Sequence, residues 1–375
     1  MIPDKGPFWL AILSCAAILF GVDFYFQHLL APERIANSTA TRILAHEKDD
    51  HGHLMMEVLS IRQSEQLLSD QRPTAYIVGG STLREGLLPD PILMREYLPD
   101  GMDLEIRTLY SFDQTMAETA RVVTNLPLKP GDLVVIDINP RRLGFGPETF
   151  ANEAALSRLS LLPDDKLAAF RHELWYGWPE LKNWERGLFS FWAHRLFVRQ
   201  WIEGRTGAKT KAAWSALVNG SLGASRARHL FDFAPRPVRQ HIRYAYSNSP
   251  LPNTKKDEIA RRVRDERVDE YFQHKDFSLS LLRVLARDIR SQGANPIMLE
   301  LPRSKRSVDA YGPVWEDYNQ QVLLLGAPEN DSHIDLRDMQ FSEEDFYDLE
   351  HLLRDQRPAL SQAVIDGIIS KTSRK

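Results

Sequence analysis

The segment Leu133–Ile138 reads Leu-Val-Val-Ile-Asp-Ile, a nearly unbroken run of apolar and β-branched residues. Such a run predicts a strand that is buried on both faces, as in parallel sheets covered by helices on each side. Further apolar segments predict strands at Thr74–Val78, Leu104–Leu109, Pro296–Leu301 and Ser332–Leu336. Because helix-forming segments alternate with these strands, the chain is predicted to be an α/β protein with a parallel sheet.

The first predicted helix begins just after the first strand, where Thr82-x-x-Glu85 fits a capping box. The other helices are predicted at Gln114–Thr124, Phe277–Gln292, Tyr311–Leu325 and Leu349–Ile369. In a parallel sheet, reactive groups collect beyond the carboxyl ends of the strands. Side chains that directly follow a predicted strand are therefore the first candidates for a functional site.

Near the N-terminus, Phe8–Phe26 is a mostly apolar run of 19 residues interrupted by Asp23. A helix needs about 20 such residues to cross a bilayer, so the run predicts a single transmembrane anchor. The competing interpretations are a cleaved signal peptide, although no small-x-small cleavage site follows the run, and a buried helix. Cys15 lies within this run. It is the single cysteine of the chain, so an internal disulfide is excluded.

The strand–helix alternation stops between about residue 150 and residue 276. This stretch is helix-prone and holds six of the eight tryptophans. Residues 182–243 carry twelve lysines and arginines against three acids, a local charge of +9, although the whole chain is at −4. The stretch is predicted to be a helical subdomain, and its functional interpretation is a surface docked on anionic lipid or a membrane partner. The total charge gives no indication of nucleic-acid binding.

These patterns divide the chain into five predicted segments. They are a membrane anchor at 1–29, a juxtamembrane helical segment at 30–70, the first part of the α/β domain at 71–150, the helical, basic and aromatic insertion at 151–276, and the second part of the α/β domain at 277–375.

Two short motifs suggest a reactive serine. Ser81 ends the run Tyr-Ile-Val-Gly-Gly-Ser, in which an apolar strand leads into a tight turn. Near the C-terminus, Asp348 and His351 are three residues apart, close enough for the carboxylate to orient the imidazole. A nucleophile, a base and an orienting acid are the groups needed to activate a serine hydroxyl.

The same motifs carry a resemblance to a known family. The string Gly80–Gly86 (Gly-Ser-Thr-Leu-Arg-Glu-Gly), with His333–Leu336 and Asp345–His351 far downstream, resembles the SGNH (GDSL-type) hydrolase superfamily. Within it, the strings resemble membrane-anchored proteins that modify cell-envelope polymers, including D-alanyl-lipoteichoic acid transfer proteins and alginate-type O-acetylation proteins. The resemblance covers about 70–150 and 277–370, and it implies an SGNH-like three-layer domain.

The resemblance implies roles for individual residues. Ser81 would be the nucleophile, His351 the general base and Asp348 its orienting partner.

The oxyanion hole would use the backbone N–H of Asp113, which stands where the family has glycine. Asn139 would be its third-block donor, with Arg141 as the alternative for that place. Arg84, in the first block, is a further substrate-binding candidate. No cofactor and no metal are implied, and the histidines and acids at 46–53 match no closed metal site.

The implied function is that of a membrane-anchored O-acyl esterase or acyltransferase acting on a cell-envelope or exported polysaccharide through an acyl-serine intermediate. Its partners would be the polymer, a membrane-bound O-acyltransferase and membrane lipid, with no nucleic acid. A single pass through the cytoplasmic (inner) membrane would leave the bulk of the chain in the periplasm. The alternative is a catalytically impaired SGNH-like scaffold in a polysaccharide assembly or export complex, which the replacement of glycine by Asp113 favours.

Overall fold

The computed structural model describes residues 72–146, 249–326 and 332–372, with isolated positions before residue 72 and between 162 and 174. The chain divides into two compact units. One consists of Met1–Leu59, Ser157–Leu162 and Trp178–His241, and nearly all of it lies outside the described residues. The other consists of Ser60–Leu156, Pro163–Gly177 and Ile242–Lys375, and it contains the sheet.

The secondary structure of the described residues is numbered along the chain. It comprises β1 (Thr74–Gly79), α1 (Ser81–Gly86), α2 (Asp90–Glu96), β2 (Glu105–Tyr110), α3 (Met116–Thr124), β3 (Leu133–Asp137), α4 (Pro140–Leu143), α5 (Asn253–Arg262), a π-helical segment (Val263–Arg267), α6 (Val268–Ser291), β4 (Asn295–Glu300), α7 (Lys305–Tyr311), α8 (Val314–Gly326), β5 (His333–Asp335), two 3₁₀ turns (Glu343–Asp345 and Arg354–Gln356) and α9 (Arg357–Thr372).

The five strands form one parallel sheet in the order β2-β1-β3-β4-β5, which confirms the predicted α/β fold. The chain moves from β1 to β2 on one side and from β3 to β5 on the other, so the direction of winding reverses between β1 and β3. In open sheets of this kind, ligands bind outside the carboxyl ends of the strands at that reversal. The predicted serine follows β1 at this point.

Helices cover both faces of the sheet. On one face, Ile77, Val135 and Leu299 join a core with Leu360 and Val364 of α9. Side chains alternate between the faces of a strand, so Tyr76, Val78, Val134, Ile136 and Met298 point the other way, and all are buried. There α3 contacts β1 and α6 contacts β4. Coverage on both sides explains why β3 is apolar almost throughout.

Two predicted helices differ from the structure. The helix expected at Tyr311–Leu325 begins only at Val314 as α8, because Gly312, with a positive φ of 38°, ends the separate helix α7 at Tyr311. The closing helix expected at Leu349–Ile369 begins only at Arg357. The residues before it form a closed loop, in which Phe346 and Leu352 make an antiparallel bridge. That loop contains the predicted Asp348 and His351.

The predicted membrane span at Phe8–Phe26 lies almost entirely outside the described residues. Across the described parts of the chain, no helix combines the length and the apolar character that crossing a membrane requires. The predicted five-segment division stays a prediction, since 147–248 is mostly outside the described residues. The predicted boundary at residue 276 falls within α6.

Gly79, the last residue of β1, is required by close packing. A Cβ placed on it would lie 2.4 Å from Leu83 Cδ1 and 2.6 Å from the Asp137 Cβ. Both neighbours are buried, and Asp137 belongs to the adjacent strand. The absence of a side chain therefore lets α1 and β3 close around the turn that presents Ser81.

Gly79→Ala is expected to destabilise the fold by roughly 1–3 kcal/mol, the usual cost of overpacking a filled core. Gly80→Ala is the matched control, because no atom lies within 4 Å of its added Cβ. Urea unfolding of the full chain measures both. Equal unfolding midpoints for the two variants would contradict the packing account.

Candidate active site

Ser81, His351 and Asp348 form a continuous hydrogen-bonded chain. The Ser81 Oγ lies 2.8 Å from His351 Nε2, and His351 Nδ1 lies 2.8 Å from Asp348 Oδ2. With Nδ1–H donating to the carboxylate, Nε2 remains the acceptor for the serine hydroxyl. Ser81 is 8% and His351 6% exposed. The fold brings Ser81 and His351 together although they are 270 residues apart in the sequence. A serine, an imidazole and a carboxylate in this order can deprotonate the serine hydroxyl.

The local structure around Ser81 is a strand–turn–helix. Gly80 is extended, with φ −92° and ψ −162°, and Ser81 is the first residue of α1. The predicted capping box of Thr82 and Glu85 is wrong: Gly80 occupies the N-cap position without a side-chain hydrogen bond. Thr82 Oγ1 instead donates to Asp137 Oδ2 at 3.3 Å. The Glu85 carboxylate forms an ion pair with Arg84 instead of capping the helix.

The loop before α9 holds the acid and the base in place. Asp348 Oδ1 accepts the backbone N–H groups of Glu350 (2.8 Å) and His351 (2.9 Å). The Tyr347 N–H donates to the His351 carbonyl at 2.8 Å, which closes the loop. Just upstream, Asp345 Oδ2 accepts the backbone N–H (2.7 Å) and the hydroxyl (2.8 Å) of Ser342. Asp348 Oδ1 is thus fixed by the backbone of the next residues in the loop, and Oδ2 is left for the imidazole.

The surroundings shift both titrating groups toward their charged forms. Burial opposes ionisation of Asp348, but the hydrogen bond and charge of His351, with the two backbone N–H groups, lower its pKa to about 2. Burial also opposes charging of His351, but the hydrogen bond and charge of Asp348, with the charges of Glu350 and Glu85, raise its pKa above the ordinary value. A raised pKa makes the imidazole a stronger base for the serine proton.

Asp113 lies beside the serine turn in an unusual backbone conformation. The Ser111 N–H donates to the Gly79 carbonyl at 3.3 Å, so the segment after β2 continues alongside that turn. Asp113 has φ 49°, the single positive φ of a non-glycine residue in the described part of the chain. Glycine is favoured in that region. The Asp113 carboxylate accepts a hydrogen bond from Arg141 Nη2 at 2.8 Å, which neutralises its charge.

Asn139 lies two residues beyond β3 and is 4% exposed. Its Oδ1 accepts the Arg142 backbone N–H at 2.9 Å and caps α4. Its amide nitrogen has no hydrogen-bond partner among the described residues and remains available as a donor. Arg141, the alternative for this place, is committed to Asp113.

Arg84 is buried and paired. Its Nε donates to Glu85 Oε1 at 2.9 Å, and its guanidinium lies 5.9 Å from the centre of the Phe112 ring. Arg357 donates to the carbonyl oxygens of Arg84 and Glu85 and so ties α1 to α9. The predicted substrate-binding role of Arg84 stays a prediction, as do the catalytic roles of the other candidates.

A buried ion pair beneath the site was missed by the sequence reasoning. Asp137 is 1% and Arg142 4% exposed. The Asp137 carboxylate accepts the Thr82 hydroxyl through Oδ2 at 3.3 Å. Burial raises its pKa, against the nearby charges of Arg142 and Arg303. A signal was present in the sequence, because Asp137 is the one charged residue in an otherwise apolar strand.

Arg142 connects this carboxylate to the neighbouring loop. Its guanidinium donates to the Asp137 carbonyl, the Thr119 hydroxyl and, at 3.2 Å, the Gln114 carbonyl. Gln114 directly follows Asp113. The pair therefore joins the turn that holds Ser81 to the two segments that hold Asp113 and Asn139.

One cluster in the described residues has metal-ligating side chains. Glu300, His333 and Asp335 bring ligand atoms within 4.8 Å of one another. Arg337 forms ion pairs with Asp335 (2.5 Å) and Glu300 (3.3 Å), so a cation already neutralises both carboxylates. The histidines and acids at 46–53 lie outside the described residues. This donor set favours an ion-pair network over a metal centre.

Comparison with known protein families found no matching family, and comparison with curated proteins found no match either.

The rate at which Ser81 reacts with an activated ester is expected to rise with pH, with a midpoint above the ordinary histidine pKa of about 6.5, because protonated His351 cannot accept the serine proton. Asp348→Asn removes the group that raises the pKa of His351, so the midpoint should fall. The rate should drop by about 10⁴-fold. The pH profile of kcat/KM measures both effects.

Asp355→Asn removes an equal charge at an exposed position of the same region and should change neither quantity. An unmoved midpoint in Asp348→Asn would show that Asp348 does not control the base.

Proposed function

We propose that this chain is a serine-dependent O-acyl esterase or acyltransferase of the SGNH type. The observation that carries the proposal is the Ser81–His351–Asp348 chain of 2.8 Å contacts at the carboxyl edge of a parallel sheet. Such an edge at the winding reversal is where α/β proteins place reactive groups. The shifted pKa values of His351 and Asp348 add support, because strong shifts concentrate at functional sites.

In the proposed reaction, Ser81 Oγ attacks the carbonyl carbon of an ester while His351 Nε2 takes its proton. The tetrahedral intermediate collapses, His351 returns the proton to the departing alcohol, and an acyl-Ser81 ester remains. Water or an acceptor hydroxyl then attacks that ester by the same steps. Asp348 stabilises the imidazolium formed each time.

The developing oxyanion would be held by the backbone N–H of Asp113 and the side-chain amide of Asn139. The positive φ of Asp113 supports this assignment, because the backbone keeps a conformation that favours glycine. The Arg141–Asp113 pair removes the main objection, a bare carboxylate beside a negative transition state. Preorganised donors of this type contribute 10²–10³-fold to rate.

The cellular setting is part of the proposal. In the predicted span, Ile18 and Phe20 are helical and more than half exposed, at 65% and 62%, which favours an apolar environment for that helix. A single anchor in the cytoplasmic membrane would hold the domain in the periplasm beside an envelope polysaccharide and a membrane-bound O-acyltransferase.

The proposal predicts that a serine-directed fluorophosphonate labels Ser81 and that His351→Ala slows labelling by about 10⁴-fold. Peptide mapping by mass spectrometry locates the adduct. Ser81→Ala should abolish labelling, whereas Ser370→Ala, at an exposed serine of α9, should leave it unchanged. A well-folded chain that resists the reagent would favour the scaffold interpretation.

A further inference from the structure

A pocket of about 100 Å³ lies against His351 and Asp348. Part of its lining is a stripe of three residues at intervals of four along the chain, Ile259, Val263 and Arg267. The resemblance to the SGNH proteins gives no expectation for this stretch, which falls within the predicted insertion. The pocket is therefore a feature of this chain that the catalytic motifs do not account for.

The π-helical segment Val263–Arg267 narrows the stripe. In an unbroken α-helix, two side chains eight residues apart are rotated about 80° from each other. In a π turn, each residue is rotated less about the helix axis than in an α-helix. The total rotation between Ile259 and Arg267 is therefore smaller than about 80°, and the two side chains lie on the same side of the helix. Single π turns within helices occur frequently at functional sites.

One residue that lines the pocket has a buried hydroxyl without a partner. Tyr311 is fully buried and lines the pocket, and its hydroxyl has no hydrogen-bond partner among the described residues. Burial, with the charge of Glu350, raises the pKa of this hydroxyl, so it stays protonated and is a hydrogen-bond donor. A buried hydroxyl without a partner is unfavourable, and a ligand oxygen in the pocket would satisfy it.

The charges around the pocket leave one guanidinium for a ligand. Arg141 is paired with Asp113, and Arg267 with Glu270. The two acids that line the pocket are also engaged: Glu350 with Arg303 at 2.5 Å, and Asp348 with His351. Arg262 lines the pocket, is exposed and has no ion-pair partner in the described part of the chain.

We propose that this pocket binds an anionic group of the substrate, a carboxylate or a phosphate, close to the ester that Ser81 attacks. Arg262 and the Tyr311 hydroxyl are its donors, and Ile259, Val263 and Leu349 exclude water around it. The inference rests on the proposed acyl-transfer activity and names the charge of its substrate.

Calorimetric titration of the full chain with benzoate, phenyl phosphate and neutral benzamide tests the pocket without catalysis. Both anions should bind, the amide should not, and the ratio of the two affinities distinguishes carboxylate from phosphate. Arg262→Gln and Tyr311→Phe should each weaken anion binding, Arg262→Gln by about tenfold, as for a lost charge-assisted hydrogen bond. Arg261→Gln is the matched control, an exposed neighbour that does not line the pocket. Equal loss in both arginine variants, or no preference for anions, would overturn the proposal.

Turnover separates this inference from the proposed function. The ratio of kcat/KM for 4-acetoxybenzoate to that for phenyl acetate should fall about tenfold in Arg262→Gln and stay constant in Arg261→Gln. Anion binding without hydrolysis of either ester would leave an anion site and remove the proposed activity. Hydrolysis of both esters with an unchanged ratio would keep the activity and remove the anion subsite.

Discussion

The buried pair of Asp137 and Arg142 is the interaction on which the arrangement of the site depends. The Asp137 carboxylate accepts the Thr82 hydroxyl, while the buried Arg142 donates to the Gln114 and Asp137 carbonyls. Buried ion pairs add little net stability, but removing one partner leaves an uncompensated charge. The pair therefore acts chiefly by fixing three segments, those of Ser81, Asp113 and Asn139, in one geometry.

His351, the proposed base, reaches this arrangement from the other end of the chain. Phe346 and Leu352 anchor a short closed loop in the core, so His351 is presented by packing rather than by a helix. Asp348 is held by backbone N–H groups and binds the imidazole through one oxygen. Arginine–acid pairs surround this centre, and they neutralise Asp113 and Glu350, whose carboxylates would otherwise oppose the anion of the proposed reaction.

The pattern of apolar residues was sufficient to predict the sheet, because each strand is a short apolar run that is followed by helix-forming residues. The contact of Ser81 with His351 followed from motif chemistry, although no local pattern fixes a separation of 270 residues. Residues 349–356, predicted to begin the closing helix, form a loop and a 3₁₀ turn instead, because backbone hydrogen bonds close this segment on itself. Asp137 was visible as an acid in an apolar strand, but its partner Arg142 becomes evident only when α4 folds back.

The central claim is that Ser81 carries the acyl group, and mass measurement after acid quenching tests it most directly. The full chain is mixed with phenyl acetate, quenched during turnover and digested. The account predicts one acetyl group on the peptide containing Ser81, and none in His351→Ala. Phenol release without acetyl at Ser81 would contradict it, because hydrolysis would then proceed by direct attack of water or at another residue.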